Sequence, residues 1–539
     1  MTALGPVPPA PSGPARVRIF TGPRILAGDG TEPEALAARS GRIIGTGTRG
    51  ELRERHPRAE ETELDGALLV LGFNDAHCHP SQAALARTRV DLDAVEDPAA
   101  LRETLRRRAR QAPPGTWVVA QPHDEHRLGP LDRDLLDQVS ETQPIVVIHY
   151  SLHRAVVNSA GLRLLRYRTP RDAPSGGRLG TRPDGTLDGH LVERAWLDPW
   201  LPGSGKVSIA QPGSPERQRA ALAEVVAELH AKGITSFCDA LVTPVEQKLY
   251  ADALAAGELT ARVGMLLWHA YADPARLPPP SPAPHRLRTV GVKMMLDGAL
   301  TGGTCRCRDP YNSTTGTGNG LEVLSPGELG DLVGRFHRAG TRVAVHANGD
   351  EAVQTLLEVI ESLPPGTLRH RIEHCSIVDD RLIERIAATR TVAVPFGPFI
   401  ALHGDRLVDY YGERAEMISA HRSLRDADVT VAGSSDYPLA PADPLLAIRS
   451  LVTRTTGTGR TVGPRQRVGF RDALDIYTHG SAAASGEAGT KGTLTVGRLA
   501  DFAVLDTDLG ATPPEEWAEA RVKSTWSGGR CVYSDRRRP

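Results

Sequence analysis

Through the middle of the chain, short apolar runs alternate with amphipathic stretches. The runs at 233–238, 261–268, 290–296, 342–346, 371–374, 391–395 and 429–433 are bounded by charged or Gly-containing turns and read as buried strands. Between them, 216–231, 326–339, 351–363 and 380–389 carry apolar residues at helical spacing, which predicts helices with one packed face. The apolar run Ala67-Leu68-Leu69-Val70-Leu71, ending near Gly72, brings the number of expected strands to eight. Strands and helices in strict alternation predict an α/β fold of the (β/α)8 TIM-barrel type rather than a doubly wound sheet.

At the two ends the pattern changes to short strands between Gly and charged turns: 17–20, 41–45 and 67–70 near the start, 492–494, 500–505 and 524–533 near the end. These predict one small β-sandwich domain composed of 16–71 and 490–536, behind a disordered Pro-rich leader at 1–15. The barrel is then expected over 72–489. About 150 residues separate the first strand, which ends in His77 and His79, from the next clear one, and they contain the apolar runs 117–120 and 144–148, so an inserted lid is expected at about 100–210. Insertions at that end of a barrel cover the active site.

Composition narrows the function. With 64 basic and 65 acidic residues and a net charge of -1, the chain offers no basic face for nucleic acid and no polybasic membrane anchor. No signal-peptide pattern or membrane-length apolar run is present, so a cytoplasmic location is expected, and six dispersed cysteines are expected as free thiols. Only six of the 64 basic residues are lysines. A lysine inside an apolar strand therefore needs a chemical reason.

Active sites of such barrels lie at the C-terminal ends of the strands. His77 and His79, two residues apart in FNDAHCHP, point to one face of an extended chain and can reach one metal ion together, while Cys78 points the other way into packing. The strand at 342–346 ends in His346, that at 371–374 in His374, and the last runs into Ser434-Ser435-Asp436. Four imidazoles and a carboxylate at one rim predict a metal site. Lys293, within Val290-Gly291-Val292-Lys293-Met294, is expected as a desolvated amine that captures CO2 as a carbamate and bridges two metals, which an always-protonated Arg cannot do.

The motifs GFNDAHCHP, HRAVVNSAGL, GITSFCDA, VKMMLDGAL, VAVHANGDEAV, RHRIEHC, AGSSDYPLAPADPL and GTLTVGRLADFAVLD together resemble the amidohydrolase superfamily, most closely its long-chain branch that includes N-substituted formamide deformylases (amidohydrolase family 3). The resemblance runs from about Arg16 to Tyr533. It implies that His77 and His79 bind the more buried metal, that carbamylated Lys293 bridges to a second ion held by His346 and His374, and that Asp436 binds metal and acts as general base and acid. Two zinc ions are the default, with iron, manganese, nickel or a single-metal form left open. The implied reaction is hydrolysis of a C–N bond of a small amide or formamide by a metal-activated water. His153 and Asn158 in HRAVVNSAGL, with Asp297 and Tyr311, are the expected substrate neighbours, and a homodimer is the oligomer the resemblance suggests.

The loop Thr301-Gly302-Gly303-Thr304-Cys305-Arg306-Cys307 departs from that branch and reads as substrate-shaping, whereas His123 and His126 read as solvated or locally bonded. Two other enzymatic readings share the barrel: a mononuclear hydrolytic deaminase, and an unusual biosynthetic hydrolase or decarboxylase. A non-enzymatic scaffold is the fourth, disfavoured because every ligand position is filled.

Overall fold

The computed structural model describes residues 16–201, 209, 214–275, 277, 281–312 and 318–535. The expected leader at 1–15 and the segment 202–208 of the expected lid lie outside the described residues. Among the described residues, no helix is long and apolar enough to cross a membrane.

Seven parallel strands form the central sheet: Phe73–Cys78, Ile234–Val242, Arg262–Trp268, Leu287–Met295, Val343–Ala347, Arg371–His374 and Val392–Val394, each beside the next. Both faces are covered, so the strands are buried along their length, with apolar runs interrupted by the polar residues that gather at the C-terminal rim. Helices Pro215–Ala231, Pro244–Ala255, Pro326–Arg338, Asp350–Glu361 and Asp380–Ala388 lie between successive strands. Their starts are defined locally: Ser325 accepts from Glu328 N–H while Glu328 reaches back to Ser325, a capping box. Leu222, Val226, Leu329, Val333, Leu356 and Ile383 from these helices join Phe237, Val292, Val345 and Ile372 of the strands in one core. Each such side chain contributes about 1.5–3 kcal/mol on burial.

Two strand expectations are corrected. The first barrel strand is Phe73–Cys78, carrying His77 at its end as expected, and Leu68–Leu71, counted toward both barrel and end domain, belongs only to the end domain's sheet, paired antiparallel with Phe502–Leu505. Gly72 separates them, because its amide turns to Asp501 O and a Cβ there would collide with Thr235. At the other edge, 429–433 forms no ladder. Single bridges join Val431 to Ala393 and Ser434 to Phe396, while Gly433 O accepts from Ala76 N–H at 2.9 Å and His77 O from Asp436 N–H at 2.9 Å. This irregular segment fills the eighth position between the last and first strands. A Cβ on Gly433 would lie 2.6 Å from the Tyr477 ring, so the crowding that displaces the segment also demands glycine.

Residues 90–193 carry a six-stranded sheet in the order Gly177–Thr181, Leu187–Glu193, Arg154–Val157, Ile145–His149, Val118–His123, Val90–Asp91. Its apolar face, with Val119, Ile148, Val157 and the fully buried Trp196, packs on Leu241, Trp268 and Met295 at the C-terminal ends of barrel strands. The chain ends build a four-stranded and a five-stranded sheet that share one core, in which Phe20 meets Phe502 and Trp526 edge-on at 5.0 and 5.1 Å. A buried ion pair, Arg262 Nη2 to Asp501 Oδ1 at 2.8 Å, ties this end domain to the barrel.

Candidate metal centre

His77, His79 and Asp436 bring one ligand atom each to within 4.8 Å of one another, all three buried. Asp75 and Asp436 explain how. The Asp75 carboxylate accepts from the amides of His77 and Ser435, both at 3.2 Å, and from the Ser435 hydroxyl, which pins 434–436 against the first strand. Asp436 then adopts φ 57, and its Oδ1 stands 3.1 Å from His79 Nε2 and 3.4 Å from His77 Nε2. A left-handed backbone at a non-glycine residue costs free energy and persists only where the surroundings impose it. Burial pushes the Asp75 carboxyl up to about 7, against the pull of its hydrogen bonds.

A residue absent from the sequence expectation, Glu373, orients the first ligand. His77 Nδ1 donates to Glu373 Oε2, and Arg371 holds that carboxylate through Nε at 2.6 Å and Nη2 at 2.8 Å. The imidazole tautomer is thereby fixed with its lone pair on Nε2, the arrangement metal-binding histidines require. Strand alternation would send His374 away from the face that Arg371 and Glu373 share. His374 instead takes φ 72 and Cys375 φ 43, which turns the His374 ring to 4.7 Å from that of His77 and 4.2 Å from that of His346. The signal available in the sequence was the acid two residues after an arginine in a strand otherwise expected to be buried.

A divalent ion fits these residues. His77 Nε2 is buried with no hydrogen-bond partner among the described residues while it faces Asp436, a costly state for a polar atom that an ion relieves, and His374 Nδ1 is likewise buried and unpartnered. Burial, then Lys293, holds His77 and His346 well below the ordinary histidine range, and burial with His346 does the same for His374, so these rings are neutral and able to ligate. His346 is more committed: its Nε2 meets Gly298 O and Asn348 Nδ2, each at 3.0 Å. Lys293 is 2 % exposed, and desolvation lowers its pKa to about 8 although Glu373 and Asp436 oppose the shift.

A cleft opens on this rim, lined by His153, His346, His374, Asp436, Phe396 and Phe399 among others. Of the four expected substrate neighbours, only His153 lines it. Asn158 is corrected to a buried helix cap, accepting from Ile145 and Gly161 amides and donating to Ser140 O and Gln143 O, so no amide valence is left for a ligand. Tyr311 lies behind the loop with its hydroxyl on Cys305, and Asp297 is spent on the amides of Arg306, Asn348 and Gly349 at 2.9–3.0 Å. Both shape the wall rather than face the cleft. Cys305 and Cys307 are free, their sulfurs 3.7 Å apart beneath Ala299, Leu300 and Thr301, which do line it. His123 bonds Gly129 O at 3.1 Å.

The barrel rim gathers residues that can hold a metal ion. Residues 60–533 match the family model described as amidohydrolase family, and the chain belongs to that family. It is 28% identical to the N-substituted formamide deformylase of Arthrobacter pascens over 93% of this chain and 95% of that one. It is also 29% identical to the protein YtcJ of Bacillus subtilis (strain 168), covering 94% and 97% of the two chains. The crystal structure of an uncharacterized metal-dependent hydrolase from Pyrococcus horikoshii OT3 shares the fold, with a TM-score of 0.72 at 23% identity, over 93% of this chain and 99% of that one.

Proposed function

We propose that the protein hydrolyses a C–N bond, of amide or formamide type, in a small molecule. The observation that carries this reading is the convergence of His77, His79 and Asp436, one ligand atom from each within 4.8 Å of the others, with His77 Nε2 buried and unpartnered among them. In this reading His77, His79 and Asp436 hold one divalent ion, zinc by the nature of the donors, and Lys293 as a carbamate leads to a second held by His346 and His374. Bound metal supplies polarisation of the acyl carbon and a lowered pKa for the attacking water.

The chain's own groups move the proton and place the substrate. Asp436 accepts a proton from the attacking water as the new C–O bond forms, then delivers it to the leaving nitrogen as the C–N bond breaks, giving a carboxylic acid and an amine. Glu373 and Arg371 keep His77 fixed during both steps. Phe396 and Phe399, with ring centroids 5.0 Å apart, give the cleft an apolar wall for the substrate's substituent. Similarity to a formamide deformylase supports trying N-substituted formamides first.

The test is metal analysis with a substrate screen. About two ions per chain and hydrolysis of at least one member of a panel of formamides, acylated amines and cyclic amides are expected, with Lys293→Ala reducing both. One ion per chain with full activity in Lys293→Ala would sink the binuclear part. No hydrolysis by fully metal-loaded protein would sink the reaction class.

A further inference from the structure

Beside the ligand rim, the cleft wall contains an imidazole that the metal site leaves without a task. His153 immediately precedes strand Arg154–Val157, and Glu193 ends its antiparallel partner Leu187–Glu193, where Glu193 N–H donates to His153 O at 2.9 Å. Neighbours across such a ladder present their side chains together. His153 Nδ1 lies 2.9 Å from Glu193 Oε2, and the other carboxylate oxygen takes the Thr304 hydroxyl at 3.1 Å. Glu193 is fully buried and held at φ 49, ψ -125, a backbone state that non-glycine residues adopt only under constraint. The loop after Lys293 is cut to fit it, because a Cβ on Gly298 would lie 2.7 Å from Glu193 Oε1.

A buried carboxylate requires a cationic or strongly donating partner. Among the described residues the Glu193 carboxylate meets one hydroxyl and one imidazole and no other cation, so its buried charge keeps His153 an imidazolium, with Nδ1–H committed to Glu193 and a second N–H on Nε2. The remaining ring nitrogen, Nε2, makes no hydrogen bond among the described residues, while the ring lines the cleft at 5.4 Å from that of His346. Resting on the hydrolase reading above, we propose that His153 is a catalytic residue whose Nε2–H binds the oxygen of the scissile acyl group as it gathers negative charge, and that Glu193 is its positioning residue. The interaction strengthens as the carbonyl becomes tetrahedral, so it acts on kcat more than on KM.

The experiment uses the full, metal-loaded chain and reads two quantities. One is steady-state hydrolysis of whichever panel amide is cleaved. The other is calorimetric binding of phenylphosphonate, a tetrahedral anion, against benzamide, its neutral planar counterpart. His153→Ala is expected to lower kcat by about 10²–10³-fold with KM within about threefold, and to weaken phenylphosphonate but not benzamide, by a comparable factor. Metal content should stay at the wild-type value. His153→Gln, whose amide reaches the Nε2 position, should recover about tenfold of the loss, and Glu193→Gln should lose about 10–100-fold in kcat. Unchanged phenylphosphonate affinity in His153→Ala, equal weakening of both probes, or loss of metal would each overturn the assignment. Because the binding arm needs no turnover, failure of the substrate screen and failure of this inference are read separately.

Discussion

The two sides of the cleft are built by different means. On the barrel side, His77, Lys293, His346 and His374 sit on four strands of one sheet, and the Asp436 segment is laced to the first strand by backbone bonds at Ala76 and His77 and by the Asp75 carboxylate. On the other side a single imidazole stands at the end of a separate sheet, whose attachment to the barrel includes an apolar patch centred on Trp196, Trp268 and Met295, the Thr304–Glu193 hydrogen bond and a latch from Arg406 to the Tyr150 hydroxyl at 3.1 Å. The ladder fixes ligand positions to within the tolerance of backbone hydrogen bonds. Apolar packing fixes only the placement of a whole surface, so the barrel side should govern whether chemistry occurs and the other side on what and how well.

The strongest way to break that division is His77→Ala, which should abolish metal binding and cut activity by more than about 10³-fold, measured by elemental analysis and steady-state rates. Asp436→Asn should lower kcat by about 10²–10⁴-fold while losing proportionally less metal; equal losses would make Asp436 a ligand without a proton-transfer role. Glu373→Gln should weaken metal binding by about 10–100-fold in a competitive chelator titration, since it frees the His77 ring. On the other side Trp196→Ala removes a fully buried ring whose Nε1 donates to Leu152 O at 2.9 Å. It should destabilise the intervening sheet by about 3–5 kcal/mol and raise KM, with metal stoichiometry intact.

The smallest expected effect is acid sensitivity, and it separates the two regions by location. Burial lowers His149 in the intervening sheet and His230 beneath the barrel to about 4 from 6.5. Between those values the unfolded chain binds more protons than the folded one, so stability falls as pH drops from about 6.5 toward 4. Hydrogen exchange at pH 5 and 7 should show His149→Gln flattening this dependence in the intervening sheet and His230→Gln flattening it in the barrel.

The features of the barrel that could be read from the chain were those with one physical cause. Long apolar runs such as 261–268 and 290–296 are buried on both faces and announce themselves; the four helices expected from spacing match Pro215–Ala231, Pro326–Arg338, Asp350–Glu361 and Asp380–Ala388 within a residue or two. Phe73–Cys78 was legible through its histidines rather than its hydrophobicity, because Asn74, Asp75 and His77 make it polar for the site's sake, and the apolar run beside it, Leu68–Leu71, was counted with it. Glu373 was passed over because alternation gives one inward residue per pair, and only the left-handed turn at His374 lets both Glu373 and His374 serve the same centre. Asn158 and Tyr311 sat in suggestive motifs, but motif membership does not tell which way a side chain's hydrogen bonds run.

Gly72 leaves a single residue between a strand of the end domain and the strand that carries the first ligand. Leu68–Leu71 is held in place by Phe502–Leu505 from the far end of the chain, more than four hundred residues later. The pocket is thus anchored through a covalent step to a splint assembled from both ends of the chain. Trimming the chain before Phe502 to obtain a minimal catalytic core should release the anchor of the His77 strand, so a working fragment of this protein has to keep its tail.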